Sequence, residues 1–109
     1  MIFDDTLYEG VLLRLVHGVM AFRQQEYLGG RTRMLELAKG QKPEVLLIGC
    51  SDSRVDLTRI SGAELGEVFI IRNVANLVPP YTLSQGTEHG VRAAIEYGVK
   101  ALHVAHIVV

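Results

Sequence analysis

Four consecutive apolar residues, Val45-Leu46-Leu47-Ile48, stand between Pro43 and Gly49. A run so short and so uniformly apolar fits a strand covered on both faces, the condition of a strand inside a parallel sheet. Polar residues follow at once, in the order Cys50-Ser51-Asp52-Ser53-Arg54. Ligands of open α/β sheets bind in the crevice beyond the carboxyl ends of the strands. A thiol, a carboxylate and a guanidinium are therefore expected together where chemistry is commonly done.

The rest of the chain supplies partners for such a strand. Val68-Phe69-Ile70-Ile71 is a second continuous apolar run, and His103 to Val109, with Val104, Ile107, Val108 and Val109, reads as a third strand. Helical spacing of Leu7, Val11, Leu15, Val19 and Phe22 predicts an amphipathic helix from Asp4 to about Gln25, capped by Asp4 or Asp5, with Gly18 a local cost inside it. Gly29-Gly30 interrupts, and a shorter helix follows from about Thr32 to Lys39, ended by Gly40 and kept from continuing by Pro43. One or two helical turns are expected from Asp56 to Ser61, and a loop from Arg72 to Tyr81, where Asn73, Asn76, Pro79 and Pro80 punctuate the chain. Thr87 is placed to cap a helix to about Lys100, with Val91, Ala94, Ile95 and Leu102 on its apolar side. Strand and helix alternate, which argues an α/β fold: a parallel sheet with flanking helices and right-handed crossovers. Residues 1–109 are read as a single domain with an N-terminal helical arm of about residues 4–40. The apolar stripe of that arm either packs on its own domain or reaches across to a second subunit.

Composition narrows the partners. Eleven basic and twelve acidic residues leave a net charge of -1, which gives no electrostatic reason to expect nucleic acid or an anionic membrane. No apolar run approaches the roughly 20 residues of a membrane span. The first residues, Met1-Ile2-Phe3-Asp4-Asp5, carry acid where a secretory signal carries base, and the single cysteine suits a reducing compartment, so a soluble cytoplasmic protein is expected. With 49% hydrophobic residues, the chain holds more apolar material than one small domain hides. The closing Ile107-Val108-Val109 reads as a cut through a strand, and the excess suits surface meant for a partner chain or for further chain.

Taken singly, the polar residues each have an ordinary reading. Cys50 is either a small buried hydrophobe or a thiolate suited to zinc. Asp52 either caps a turn or presents a carboxylate to a site, and Arg54 either pairs on the surface or holds that carboxylate. None of His17, His89, His103 and His106 sits at the spacing of a second metal ligand for Cys50; His106 opens the last strand and so lies below the strand end. A thiol nucleophile acting on phosphate would want arginine six residues after the cysteine, where Asp56 stands instead. No glycine-rich strand-to-helix turn for a nucleotide is present.

Cys50-Ser51-Asp52-Ser53-Arg54 resembles the signature of the β-class carbonic anhydrases, and the likeness extends to Gly40-Gln41-Lys42-Pro43, to the stretch from Gly66 to Tyr81, and to Ala94-Ile95-Glu96-Tyr97, in family order. It covers roughly Phe22 to the end. The resemblance implies a zinc enzyme that reversibly hydrates carbon dioxide to bicarbonate and a proton through zinc-bound hydroxide, working as a homodimer or higher homo-oligomer with pockets near the subunit interface. It implies Cys50 as a zinc ligand, Asp52 and Arg54 as a catalytic dyad (Asp52 a ligand only in a closed form of the site), and Gln41, Phe69 and Tyr97 as substrate-pocket residues of an open form. The family continues beyond its equivalent of Val109 with a segment of the form Cys-Gly-His-Ser-x-Cys-Gly, which supplies two further ligands. These 109 residues alone are therefore expected to bind zinc poorly and to be weakly active or inactive. The alternative is a non-catalytic homologue that serves as a dimerising or interaction module without metal.

Overall fold

The computed structural model describes residues 5–7, 9–81 and 90–109. The chain divides into two compact units, Met1–Gly40 and Gln41–Val109.

In the first unit, helix α1 spans Gly10–Phe22 and helix α2 spans Arg31–Ala38. The first helix starts later than its periodicity suggests. Asp5–Leu7 form a separate 3-10 turn, and the capping position before α1 belongs not to Asp5 but to the extended Glu9, whose side chain makes no capping bond. Asp4 lies outside the described residues. Gly10, at φ 56°, takes the left-handed conformation that separates the turn from the helix. At its other end α1 continues into wider π-type turns over Arg23–Leu28. The Gly29 and Gly30 amides then close on the carbonyls of Gln24 and Glu26 at 3.2 and 3.1 Å. A Cβ on either glycine would run into the backbone of Gln25 or Glu26. Val16 is the buried residue of α1, whereas Val11, Leu15 and Val19 are 61%, 61% and 50% exposed. Among the described residues, the apolar stripe therefore stays largely exposed. Gly18 lies on open space, with nothing within 4 Å of an added Cβ.

The second unit is built on a three-stranded parallel sheet. Strand β1 spans Val45–Cys50, β2 spans Val68–Asn73 and β3 spans His106–Val108, in the order β2-β1-β3. Val45 faces Val68 on one side and His106 on the other, and Cys50 faces Asn73. Helix α3, Leu57–Ser61, follows β1; Asp56 caps it by accepting from the Arg59 amide at 3.1 Å and the Thr58 hydroxyl at 2.9 Å. Helix α4, Gly90–Glu96, runs on into a π-type turn over Tyr97–Ala101. The Thr87 cap lies outside the described residues.

Leu46, Ile48, Ile71 and Val91 form the core, with Phe69, Ala94, Ile95 and Val104 packed against it. Leu46 and Ile48 are 0% and 2% exposed, but their neighbours Val45 and Leu47 are only half-buried. The central strand is thus sealed on one face and partly covered on the other, less than its uniform apolarity suggests. Gly98, where an added Cβ would come within 2.5 Å of Leu46 Cδ1, lets the chain after α4 lie directly on that core.

Two strand limits differ from those read in the sequence. β2 continues through Arg72 and Asn73, because these residues pair with Gly49 and Cys50 instead of starting a loop. β3 begins at His106, not at His103. His103 is left-handed at φ 55°, Val104 turns into the core and donates to Gly98 O at 3.1 Å, and the amides of Ala105 and His106 both reach Glu44 O.

Candidate functional site

Past the end of β1 the chain makes a tight turn around one sulfur and one carboxylate. The Ser51 amide still donates to Asn73 O at 2.7 Å, as the ladder ends. The Asp52 amide then points back to Cys50 Sγ at 3.4 Å, and Val55 N donates to Asp52 O at 3.0 Å. The Asp52 carboxylate is gripped by a single residue. Arg54 donates to Oδ1 from its backbone N at 2.8 Å and from Nε at 3.0 Å, and to Oδ2 from Nη2 at 2.7 Å. This two-pronged fork is the strong geometry for a carboxylate–guanidinium pair. The Arg54 side-chain bonds hold Asp52 below the usual carboxylate range, with the Arg54 amide and the Arg72 charge acting in the same direction.

Cys50 is half-buried and unpaired to any other cysteine. Its thiol lies below the ordinary thiol value, chiefly because the Asp52 amide donates to the sulfur, then because the Ala75 amide does, with Arg72 adding a smaller push. Burial and the Asp52 charge oppose this. Ala75 reaches the sulfur from a strained turn: Ala75 and Asn76 sit at φ 67° and 44°, a conformation that costs an alanine about 1–2 kcal/mol. Asn73 holds that turn from both sides, accepting from Leu77 N at 2.6 Å and donating to Leu77 O at 2.8 Å.

The depressed thiol has a direct consequence in solution. Alkylation of Cys50 by iodoacetamide should follow a pH–rate curve whose midpoint lies lower in the native chain than in urea, because the folded form stabilises the thiolate. Equal midpoints would show that the two amides do not act on the sulfur.

Arg72 was not legible as a site residue. It reaches from β2 to three carbonyls of the turn: Nε to Cys50 O at 2.9 Å, and Nη2 to Asp52 O at 2.9 Å and Val55 O at 2.6 Å. An arginine at the end of an apolar run is a common sequence feature, and bonds spanning 17 to 22 residues leave no local pattern to read.

Of the six residues singled out in the sequence, five fall into two groups and Gln41 stands apart. Cys50, Asp52 and Arg54 converge at the carboxyl end of β1. Phe69 and Tyr97 also meet, with ring centroids 5.8 Å apart and planes tilted by 45°. Phe69, however, pairs with Leu46, four residues and so roughly 13 Å along the strand from Cys50. Gln41 is exposed and precedes Glu44, which bonds Glu67 and Ala105 at the amino end of β1. Three residues reach at most about 11 Å, while Glu44 stands roughly 20 Å from Cys50, so this chain does not bring Gln41 to its own sulfur. His106 pairs with Val45 at that same amino end, below the site as expected.

Cys50 offers a sulfur at a strand end, with its thiol shifted toward easier ionisation, which suits one corner of a zinc site, and Asp52 lies beside it. Among the described residues no group of three or more His, Cys, Asp and Glu side chains converges. A zinc site usually takes four ligands, three of them from protein in a catalytic site. The described residues therefore do not complete one by themselves.

Fold and site together define a parallel α/β protein whose central strand ends in a thiolate-forming cysteine backed by a clamped carboxylate. The model of the family described as carbonic anhydrase matches residues 45–109. A carbonic anhydrase of Synechococcus elongatus is 44% identical over 96 residues, 88% of this chain and 34% of that protein, and beta carbonic anhydrase 3 of Arabidopsis thaliana is 41% identical over 96 residues, 88% and 36%. Among solved structures, the β-carbonic anhydrase CcaA matches with a TM-score of 0.77 at 41% identity, covering 86% of this chain and 41% of that one. A tetrameric β-carbonic anhydrase of Sordaria macrospora matches at 0.76 and 37% identity, covering 91% and 47%. The chain belongs to the carbonic anhydrase family, in its β class. It spans about a third of the length of the curated relatives it matches.

Proposed function

We propose that this chain carries part of the site of a zinc-dependent carbonic anhydrase, a lyase that reversibly hydrates carbon dioxide to bicarbonate and a proton. The observation that supports this most is the Asp52–Arg54 fork standing next to the Cys50 sulfur at the end of the central strand. Zinc, when bound, lowers the pKa of water to about 7 and so supplies hydroxide at neutral pH. Cys50 contributes a thiolate ligand. Asp52, kept ionised by Arg54, accepts a hydrogen bond at its carboxylate and orients the nucleophile without readily taking its proton. The open form of the site, with Asp52 paired to Arg54 and not to metal, fits the intact fork.

Gln41, Phe69 and Tyr97 serve as the pocket for carbon dioxide and bicarbonate, an amide for the anion and rings for the apolar gas. Their separation from Cys50 along one chain is resolved if a second copy supplies them, in a homodimer or higher homo-oligomer. The exposed Val11, Leu15 and Val19 stripe of α1 gives such an assembly an apolar contact surface, and the Sordaria macrospora relatives are tetrameric. No nucleic-acid or membrane partner is proposed; no helix among the described residues is long and apolar enough to cross a membrane. A cytoplasmic location is proposed with this reading. The second reading, a dimerising module without metal, draws its support from the two donors that the described residues offer where zinc needs more.

Native mass spectrometry of the protein from its source, paired with a carbon dioxide hydration assay, separates the two. A chain heavier than 12.0 kDa with about one zinc each and rapid hydration is the expected result. A 12.0 kDa chain without zinc or activity establishes the module instead. Purified at 109 residues, the chain should take up little zinc and hydrate slowly; stoichiometric zinc with robust hydration overturns that expectation.

A further inference from the structure

We infer that Arg72 is a positioning residue that sets the turn carrying Asp52 and Arg54 and thereby the place of the carboxylate beside the Cys50 sulfur. The inference adds to the proposed carbonic anhydrase reading, and rests on it for the consequence in rate.

The Asp52–Arg54 fork does not fix its own location. Both partners belong to the same turn, two residues apart, and the Arg54 side chain is 87% exposed. Exposed pairs of this kind contribute little to order by themselves. The fork can therefore persist wherever the turn carries it, and something outside the turn must hold it against β1.

Arg72 does so from a fixed base. It follows Ile71, whose side chain is in the core, and it is paired in the ladder opposite Gly49. From there its guanidinium takes three carbonyls, Cys50 O, Asp52 O and Val55 O, at 2.9, 2.9 and 2.6 Å. These three mark the start, the middle and the exit of the turn. At and beyond the end of the ladder, backbone carbonyls must find donors elsewhere, and a planar guanidinium meets several at set angles where an ammonium is a single point. Three bonds to one rigid group fix both position and tilt. The orientation of Asp52 is set in this way from β2, while Arg54 sets its charge state.

The test reads order in the turn, with neither metal nor turnover needed, by NMR hydrogen exchange on the chain and on Arg72→Leu and Arg72→Lys. In both variants the Arg54 amide and the Arg54 Nε–H, which bond Asp52, should exchange at least about tenfold faster, while methyl signals of Leu46, Ile48 and Ile71 stay in place. Lysine, reaching one carbonyl at a time, should restore only part of the protection. Arg54 protection within about twofold of wild type in either folded variant overturns the inference. Should leucine unfold the chain, lysine decides. If neither variant folds, the wild type decides: protection of the Arg72 Nε–H at least as high as that of the Arg54 amide supports the inference. Lower protection means that the clamp opens while the turn stays ordered, and overturns it. Failure of the proposed function would register elsewhere, in the activity of Asp52→Asn, leaving these exchange rates untouched.

Discussion

Leu46→Ala should lower stability by about 2–5 kcal/mol, the cost of emptying a sealed aliphatic site. Leu46 is the one fully buried large side chain among the described residues, and Ile48, Ile71 and Val91 complete a small core around it. Small domains have only about 5–15 kcal/mol in total, so this single truncation removes a large share. With a urea m-value of about 1–2 kcal/mol/M for so small a unit, the midpoint should fall by about 2 M. Gly98→Ala damages the same place by the opposite means, since its new Cβ would lie 2.5 Å from Leu46 Cδ1, an overpacking worth about 1–3 kcal/mol. The double variant has room for that methyl. Its loss should be smaller than the sum of the single losses by about 1–2 kcal/mol. Additivity within about 0.5 kcal/mol would mean that Gly98 and Leu46 do not share the space the structure gives them.

On the proposed carbonic anhydrase reading, Asp52→Asn should cost about 10²–10⁴ in the kcat for carbon dioxide hydration of the zinc-loaded protein from its source, the range for loss of a positioned proton-handling group. The substitution keeps the side-chain shape and removes the charge that three Arg54 donors address. Thermal unfolding should hardly move, because the pair is exposed on the arginine side and such pairs add little to folding. Stopped-flow hydration and a melting curve on the same sample check both halves. A rate within about threefold of wild type would remove Asp52 from the chemistry. The sign with pH is fixed by the lowered Asp52 value. Its pairing favours the fold above the unfolded carboxylate pKa of roughly 3.9, and that contribution disappears as pH falls through the lower folded value. An acid limb in the rate above about pH 5 must then come from another group.

The parts of the molecule visible in its sequence are those decided locally. Val45 to Ile48 announced a strand because the run is short and bounded, and the helical turns expected over Asp56 to Ser61 appear as α3, with Asp56 as a cap the sequence reading did not name. The pairing of Asp52 with Arg54, also a short-range contact, came from the family resemblance, since the two residues taken singly left ordinary readings open. What escaped was decided at a distance. β2 extends through Arg72 and Asn73 because Gly49 and Cys50 pair with them, against the turn-forming character of asparagine. His103 leaves the expected strand because Val104 is drawn into the Leu46 core. Periodicity marked an apolar stripe on α1 but cannot say what covers a face: Val16 is the buried residue of the helix, while Val11, Leu15 and Val19 stay exposed among the described residues.

The strand order β2-β1-β3 also carries a history. The centre of the sheet is made first along the chain, and its neighbours are added from ever farther away. Joining β1 to β2 closes a span from Val45 to Val68, whereas joining β3 closes one from Val45 to His106. Chain entropy makes the longer closure dearer by ~0.9 kcal/mol, and contacts of such separation form slowly. The turn after Cys50 depends on the nearer pair alone, since Arg72 and Asn73 close β2 and Ala75 follows it directly. A nascent chain therefore holds the residues that shape the sulfur and carboxylate corner some thirty residues before β3 exists.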